Sequence, residues 1–202
     1  MKKCLIVHSI VLWDGNMELE KIIKHRKSIR KYKVDDVSKD MVEKLIDCAR
    51  YAPSAKNRQP WEFVVVKDKM KDDIANIMLK KEKETNGKLE RKIYKYKSSV
   101  KQTAFIIKNA PILILVFRPK EDNWLIGDSL SIGAAIEHIC LKSVEMGLGT
   151  LWIRDIVYTQ EEIANLLNYG NKSLISAIAL GYPDEIPKLR IRKKLNEILR
   201  WY

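Results

Sequence analysis

Arg26, Ser28 and Arg30 occupy alternate positions in the segment Arg26-Lys27-Ser28-Ile29-Arg30, just after a helical stretch. Two guanidinium groups around a hydroxyl suit a phosphate. Arginine can contact its oxygens in bidentate fashion, and serine can donate one further hydrogen bond. Taken alone, the same pattern is also a basic helix end that complements the helix dipole. A second polar set runs through Pro53-Ser54-Ala55-Lys56-Asn57-Arg58-Gln59-Pro60-Trp61, with hydrogen-bonding side chains on proline-stiffened backbone. Alone it reads as a turn before a strand. The third set is Arg190-Ile191-Arg192-Lys193-Lys194, which alone reads as a solvated basic terminus.

Sequence-local catalytic signatures fail. The chain has no GxxxxGK[ST], GxSxG or HExxH pattern. Gly147-Leu148-Gly149 lacks a third glycine and follows a predicted helix, so it is not a dinucleotide fingerprint. Cys4, Cys48 and Cys140, and His8, His25 and His138, are scattered, so no zinc pattern can be written and no metal is expected. The odd cysteine count also argues against a secreted disulfide framework and for a cytoplasmic protein.

The elements that must position these groups follow from periodicity. Helices are predicted over 18–26, over 39–50 behind Ser38 as N-cap, and from Asp68 to about 80. Another opens at Asp128 or Ser129 and runs to Met146, closed by Gly147 and Gly149. A Thr159/Glu162 capping box opens one to Leu167. Trp61–Val66 is β-branched and aromatic, Pro111–Phe117 is a continuous apolar run, and Thr150–Ile153 and Ser173–Leu180 complete the predicted strands. A continuous apolar strand is one covered on both faces. Helices and buried strands therefore alternate, as in α/β or α+β folds with helices on both sides of a sheet.

At 202 residues the chain is long enough for one well-cored domain without disulfides or metal. Residues 1–16 read as an apolar extension rather than a signal peptide, because Trp13-Asp14-Gly15-Asn16 replaces the small-residue cleavage pattern. The expected division is this extension, of unassigned role, and a single domain over 17–202. No apolar run reaches the roughly 18 residues of a spanning helix, so no membrane is expected.

Lys and Arg number 38 against 26 Asp and Glu, a net charge of +12 that favours anionic partners. The run 80–108 carries ten Lys/Arg against three Glu and reads as a solvated, helix-resuming excursion through Tyr94 and Val100. Lys92, Lys95 and Lys97 within it could instead steer an anionic ligand.

Taken together and in order, the motifs resemble the FMN-dependent nitroreductase family. The matching segments are RKSIRKY at 26–32, APSAKNRQPWEFVVV at 52–66, GLGTLWI at 147–153 and LGYPDEIPKLRIRKKLNEI at 180–198. The resemblance spans nearly the whole chain, from about 17 to 198. It implies an α+β fold of three layers, α/β/α, around a mostly antiparallel mixed sheet, dimeric, with the C-terminal tail reaching the partner subunit. It also implies that Arg26, Lys27 and Ser28 lie near the phosphate and ribityl chain of FMN, and Arg30 near the pyrimidine edge. A cation there would stabilise negative charge on the reduced ring. By the same resemblance Pro53, Ser54 and Asn57 come from the partner subunit, Gly149 and Thr150 approach flavin N5, and Arg190 and Arg192 close over the phosphate. NADH or NADPH would supply hydride, and a nitroaromatic, quinone or related small molecule would accept it in a ping-pong cycle. No side-chain nucleophile is then needed.

Two alternatives stand beside this reading. One is a family-like flavoprotein specialised for one metabolite, as a dehalogenase or dehydrogenase. The other is a basic nucleic-acid-binding module, supported by charge and by aromatics between lysines at 91–97 but lacking any recognition motif. The preferred partners are a second copy of the chain and a small acceptor, not nucleic acid.

Overall fold

The computed structural model describes residues 18–85 and 100–202. The readings placed on residues 1–16, on Tyr94, and on Lys92, Lys95 and Lys97 lie outside the described residues.

Four strands form one sheet in the order β1-β2-β4-β3: β1 (Glu62–Lys67), β2 (Ile112–Pro119), β3 (Gly149–Ile153) and β4 (Lys172–Gly181). Every strand pairing is antiparallel. The parallel component is an isolated bridge between Ser28 and Thr150 at the β3 edge.

β2 shows why the sequence reads as a run rather than an alternation. Leu113, Leu115 and Phe117 enter one core layer, while Ile112, Ile114 and Val116 enter the other. Successive side chains point to opposite faces, and both faces are covered. The first layer is closed by α3 (Asp68–Glu84), α4 (Val100–Asn109) and α6 (Gln160–Leu166), through Ile74, Met78, Ile107 and Ile163. The second is closed by α2 (Lys39–Ala49) and α5 (Leu125–Glu145), through Leu45, Ile132, Ile136 and Ile139. The result is the three-layer arrangement.

Ser38 caps α2 as expected, its hydroxyl accepting from the Met41 amide. α5 ends in a Schellman turn: Leu148 N–H donates to Ser143 O, Gly147 N–H donates to Val144 O, and Gly147 has φ +72°. By length and composition α5 could cross a bilayer, but Ile132, Ala135, Ile136, Ile139 and Cys140 are packed into the core.

Several boundaries differ from the sequence reading. α3 continues to Glu84, and Lys67, not Asp68, is its N-cap. α5 begins at Leu125 behind a 3-10 turn, so Asp128 lies in its first turn rather than at its start. Thr159 caps nothing with its side chain: its hydroxyl donates to Ile156 O inside a 3-10 turn.

Candidate active site

α1 (Leu19–His25) leads directly to the first basic motif. The Arg26 backbone leaves the helix in an extended conformation, φ −57° and ψ 121°. Ser28 then bridges Thr150, and Ile29 N–H donates to Thr150 O at 2.9 Å. Further along, Tyr32 bridges Pro183, Lys33 N–H donates to Tyr182 O, and Asp184 N–H donates to Lys31 O. The motif is thus fastened to the ends of both β3 and β4. In an extended segment alternate residues share a side. Ile29 is buried, while Arg26, Ser28 and Arg30 remain half-exposed.

Tyr32 fixes the segment from beneath. Its single hydroxyl proton is shared between Ile29 O at 2.8 Å and Ala179 O at 3.2 Å. Burial pushes the phenol pKa far above its ordinary value, and the Glu185 carboxylate adds to the effect. The group is therefore a neutral donor. Glu185 itself accepts from the backbone N–H groups of Arg30 and Lys31. It orders the motif without occupying the Arg30 guanidinium, which donates to Ser28 O at 3.1 Å.

The cations are only lightly engaged. Arg26 Nε stands 3.6 Å from Glu137 on α5, beyond a good hydrogen bond. Lys27 Nζ donates to Pro187 O at 3.3 Å and so ties the start of the tail to the motif. Under Thr150 lies Cys140, whose thiol is raised to about 11 by burial and stays protonated near neutrality. It is not an activated nucleophile.

Gly149 has a concrete reason to be glycine. A Cβ there would lie 2.6 Å from Cγ1 and 2.9 Å from Cβ of Ile29. The close approach at this position is, within the chain, that of the Ile29 side chain.

The second motif lies elsewhere. Ala55 N–H donates to Ser131 Oγ on α5, and Ala55 packs over Gly127. Arg58 stacks on Trp124 at 4.3 Å and donates to Asp128 and Glu121. Asp128 is 1% exposed and also faces the buried Arg118 at 3.8 Å. Ser54 Oγ accepts from Gln59 N–H, and Asn57 Oδ1 accepts from the Gln59 side chain. Lys56, Asn57 and Gln59 all adopt left-handed backbone, at φ +52°, +55° and +47°. Pro53, Lys56 and Asn57 are exposed.

Arg26, Lys27, Ser28, Arg30, Gly149 and Thr150 therefore form one cluster. Pro53, Ser54 and Asn57 do not join it in the same chain. Their loop rests on Ser131, whereas Thr150 meets Cys140, nine residues and about 14 Å further along α5. β1 and β3 are also opposite edges of the sheet. A cavity of about 330 Å³, lined by Arg58, Trp61, Arg118 and Lys172 among others, belongs to the loop end. Arg190 and Arg192 are exposed on the tail beyond Pro187. Sequence reasoning missed Tyr32, Glu185, Arg58 and Asp128. The aromatic at 32 sat inside the quoted motif, but nothing local marked the two carboxylates.

The model of the Nitroreductase family matches residues 23–182. A proposed NADH dehydrogenase/NAD(P)H nitroreductase of Archaeoglobus fulgidus is 32% identical over 181 residues, covering 83% of this chain and 87% of that protein. An iodotyrosine deiodinase of Thermotoga neapolitana is 28% identical over 190 residues, covering 90% and 95%. Among solved structures, a BluB-like flavoprotein of Clostridium difficile 630 superposes with a TM-score of 0.76 at 29% identity, covering 93% of this chain and all of that one.

Proposed function

This chain belongs to the nitroreductase family, and from that premise we propose that it is an FMN-dependent oxidoreductase. It takes hydride from NADH or NADPH and passes it to a nitroaromatic, quinone or related small acceptor in a ping-pong cycle. The observation that carries the reading is the Ser28–Thr150 bridge, which sets Arg26, Lys27, Ser28 and Arg30 beside Gly149 and Thr150. The donor set fits the cofactor: two guanidinium groups, an ammonium and a hydroxyl on one fixed strip match a terminal phosphate and a polyol chain. The likeness to a flavoprotein of known structure supports a flavin cofactor.

When bound, FMN supplies the hydride-accepting and hydride-donating chemistry. The residues of the chain bind and orient it. Arg26, Lys27 and Ser28 hold the phosphate and ribityl end. Arg30, whose guanidinium makes one backbone contact, to Ser28 O, and is left unpaired by Glu185, would face the pyrimidine edge and offset charge that accumulates on reduction. Gly149 and Thr150 present backbone to the ring. Arg190 and Arg192, just past the Lys27–Pro187 contact, close over the phosphate.

The site is completed by a second copy of the chain in a C2 homodimer. Pro53, Ser54 and Asn57 sit at the Ser131 end of α5, away from Thr150, and border the flavin of the other subunit. The tail carries Leu189, Ile191, Leu195, Ile198 and Trp201 largely exposed, with side chains suited to lie across a partner. Residues 17–202 act as one domain. A second reading, reductive dehalogenation, is favoured by the deiodinase relative, and a panel of nitro, quinone and halogenated acceptors separates the two.

Titration of FMN tests the assignment. Arg26→Ala with Ser28→Ala removes charge-assisted bonds worth about 1.5–3 kcal/mol each and should weaken FMN binding by at least tenfold. Unchanged affinity would remove the phosphate site from these residues.

A further inference from the structure

Lys56 combines three properties that rarely coincide. It holds left-handed backbone, φ +52° and ψ +29°, where a side chain is disfavoured and glycine is the usual occupant. Its ammonium stands 5.5 Å from the ring centroid of Trp124. Among the described residues it makes no ion pair, whereas its neighbour Arg58 is held by Glu121 and Asp128. The loop therefore presents one uncompensated cation, in a strained position, on an exposed edge next to Ser54 and Asn57.

We propose that Lys56 is a specificity-determining residue that favours aromatic acceptors carrying a carboxylate. The inference rests on the reading above, in which this loop borders the flavin of the second copy. An aromatic acceptor at that face would lie against the flavin ring, and an anionic substituent would meet the ammonium. A neutral acceptor of the same shape gains the stacking but not the charge. Asn57 and Gln59 share the left-handed backbone, so it is the unpaired charge, not the backbone, that sets Lys56 apart. The exposed position makes the charge available to a ligand, and its field is weakened by salt.

The test uses the holoenzyme reduced with NADH and mixed rapidly with 4-nitrobenzoate or 4-nitrobenzamide. The ratio of the two second-order rate constants for flavin reoxidation is compared in the parent, Lys56→Gly, Lys56→Met and Lys56→Arg. The preference for nitrobenzoate should fall about threefold to fivefold in the Gly and Met variants, as for loss of an exposed charge pair. It should be kept in Lys56→Arg, and raised salt should erode it in the parent and in Lys56→Arg but not in the Gly and Met variants. The melting temperature of Lys56→Gly should not fall, because glycine relieves the left-handed strain. An unchanged ratio in protein that holds FMN and reduces both acceptors would overturn the inference and leave the oxidoreductase reading intact. A change confined to reduction by NADH would also overturn it. Protein that holds no flavin would remove both.

Discussion

Ile29 fills the space in which Gly149 would carry a side chain, with Cγ1 of Ile29 only 2.6 Å from that hypothetical Cβ. The contact joins the basic motif to the β3 edge more tightly than hydrogen bonds alone. It also makes the two motifs one rigid unit, since Ile29 N–H donates to Thr150 O. Gly149→Ala should destabilise the protein by about 1–3 kcal/mol, the range for overpacking a filled site. It should also loosen FMN by moving Ser28. Adding Ile29→Ala should recover part of the loss, because contacting residues couple. Urea denaturation of the four proteins in the cycle measures this, and simple additivity would show that the contact is relaxed in solution.

Tyr32 stabilises the same segment from the core side. Tyr32→Phe removes the one hydroxyl donor shared by Ile29 O and Ala179 O and should cost about 1 kcal/mol near neutral pH. Its folded pKa is raised above the ordinary value of 10.0 by burial and by Glu185. The contribution is thus complete below that value and is lost as pH climbs above it, because the unfolded phenol ionises first. Denaturation curves of the parent and Tyr32→Phe should therefore converge in alkali. A constant gap across the alkaline range would contradict the buried phenol.

Asp128 stands between Arg58 and the 5% exposed Arg118. Asp128→Asn keeps the shape but leaves the Arg118 cation uncompensated. The expected cost is about 3 kcal/mol, the lower end for breaking a buried pair. Because Arg58 also loses a partner, trypsin cleavage after Lys56 and Arg58 should accelerate in native conditions. A stable variant with an unaltered digestion pattern would mean that Arg118 is satisfied by Pro119 O and Glu121 O alone.

The proposed division of the site between two chains predicts complementation. A variant lacking Arg26 and Ser28 and another lacking Ser54 and Asn57 should each bind FMN poorly. Unfolded together and refolded, they should regain flavin and activity, since half of the mixed dimer's sites would be intact. Absence of recovery in a mixture that forms mixed dimers would place both halves in one subunit.

Much of this was legible in the sequence for physical reasons that differ by element. β2 announced its two-sided burial through an unbroken apolar run, and Ser38 announced the start of α2. The basic motif was visible as residue types at alternate spacing, but its partner strand was not, because the Ser28–Thr150 bridge joins positions more than a hundred residues apart. Asp128 looked like a helix start because acidic residues favour first turns. Its actual place is set by two arginines from distant segments. Glu185 carried no local signal, since its task is to bind backbone N–H groups of another segment.

The central claim is that the strip from Arg26 to Arg30, with Gly149 and Thr150, holds FMN. The visible absorbance spectrum of the purified protein, followed by release and identification of the bound flavin, tests it most directly. Flavin bands are expected, with one FMN per subunit after reconstitution, and NADH or NADPH should bleach them. A colourless protein that takes up no FMN when reconstituted would contradict it.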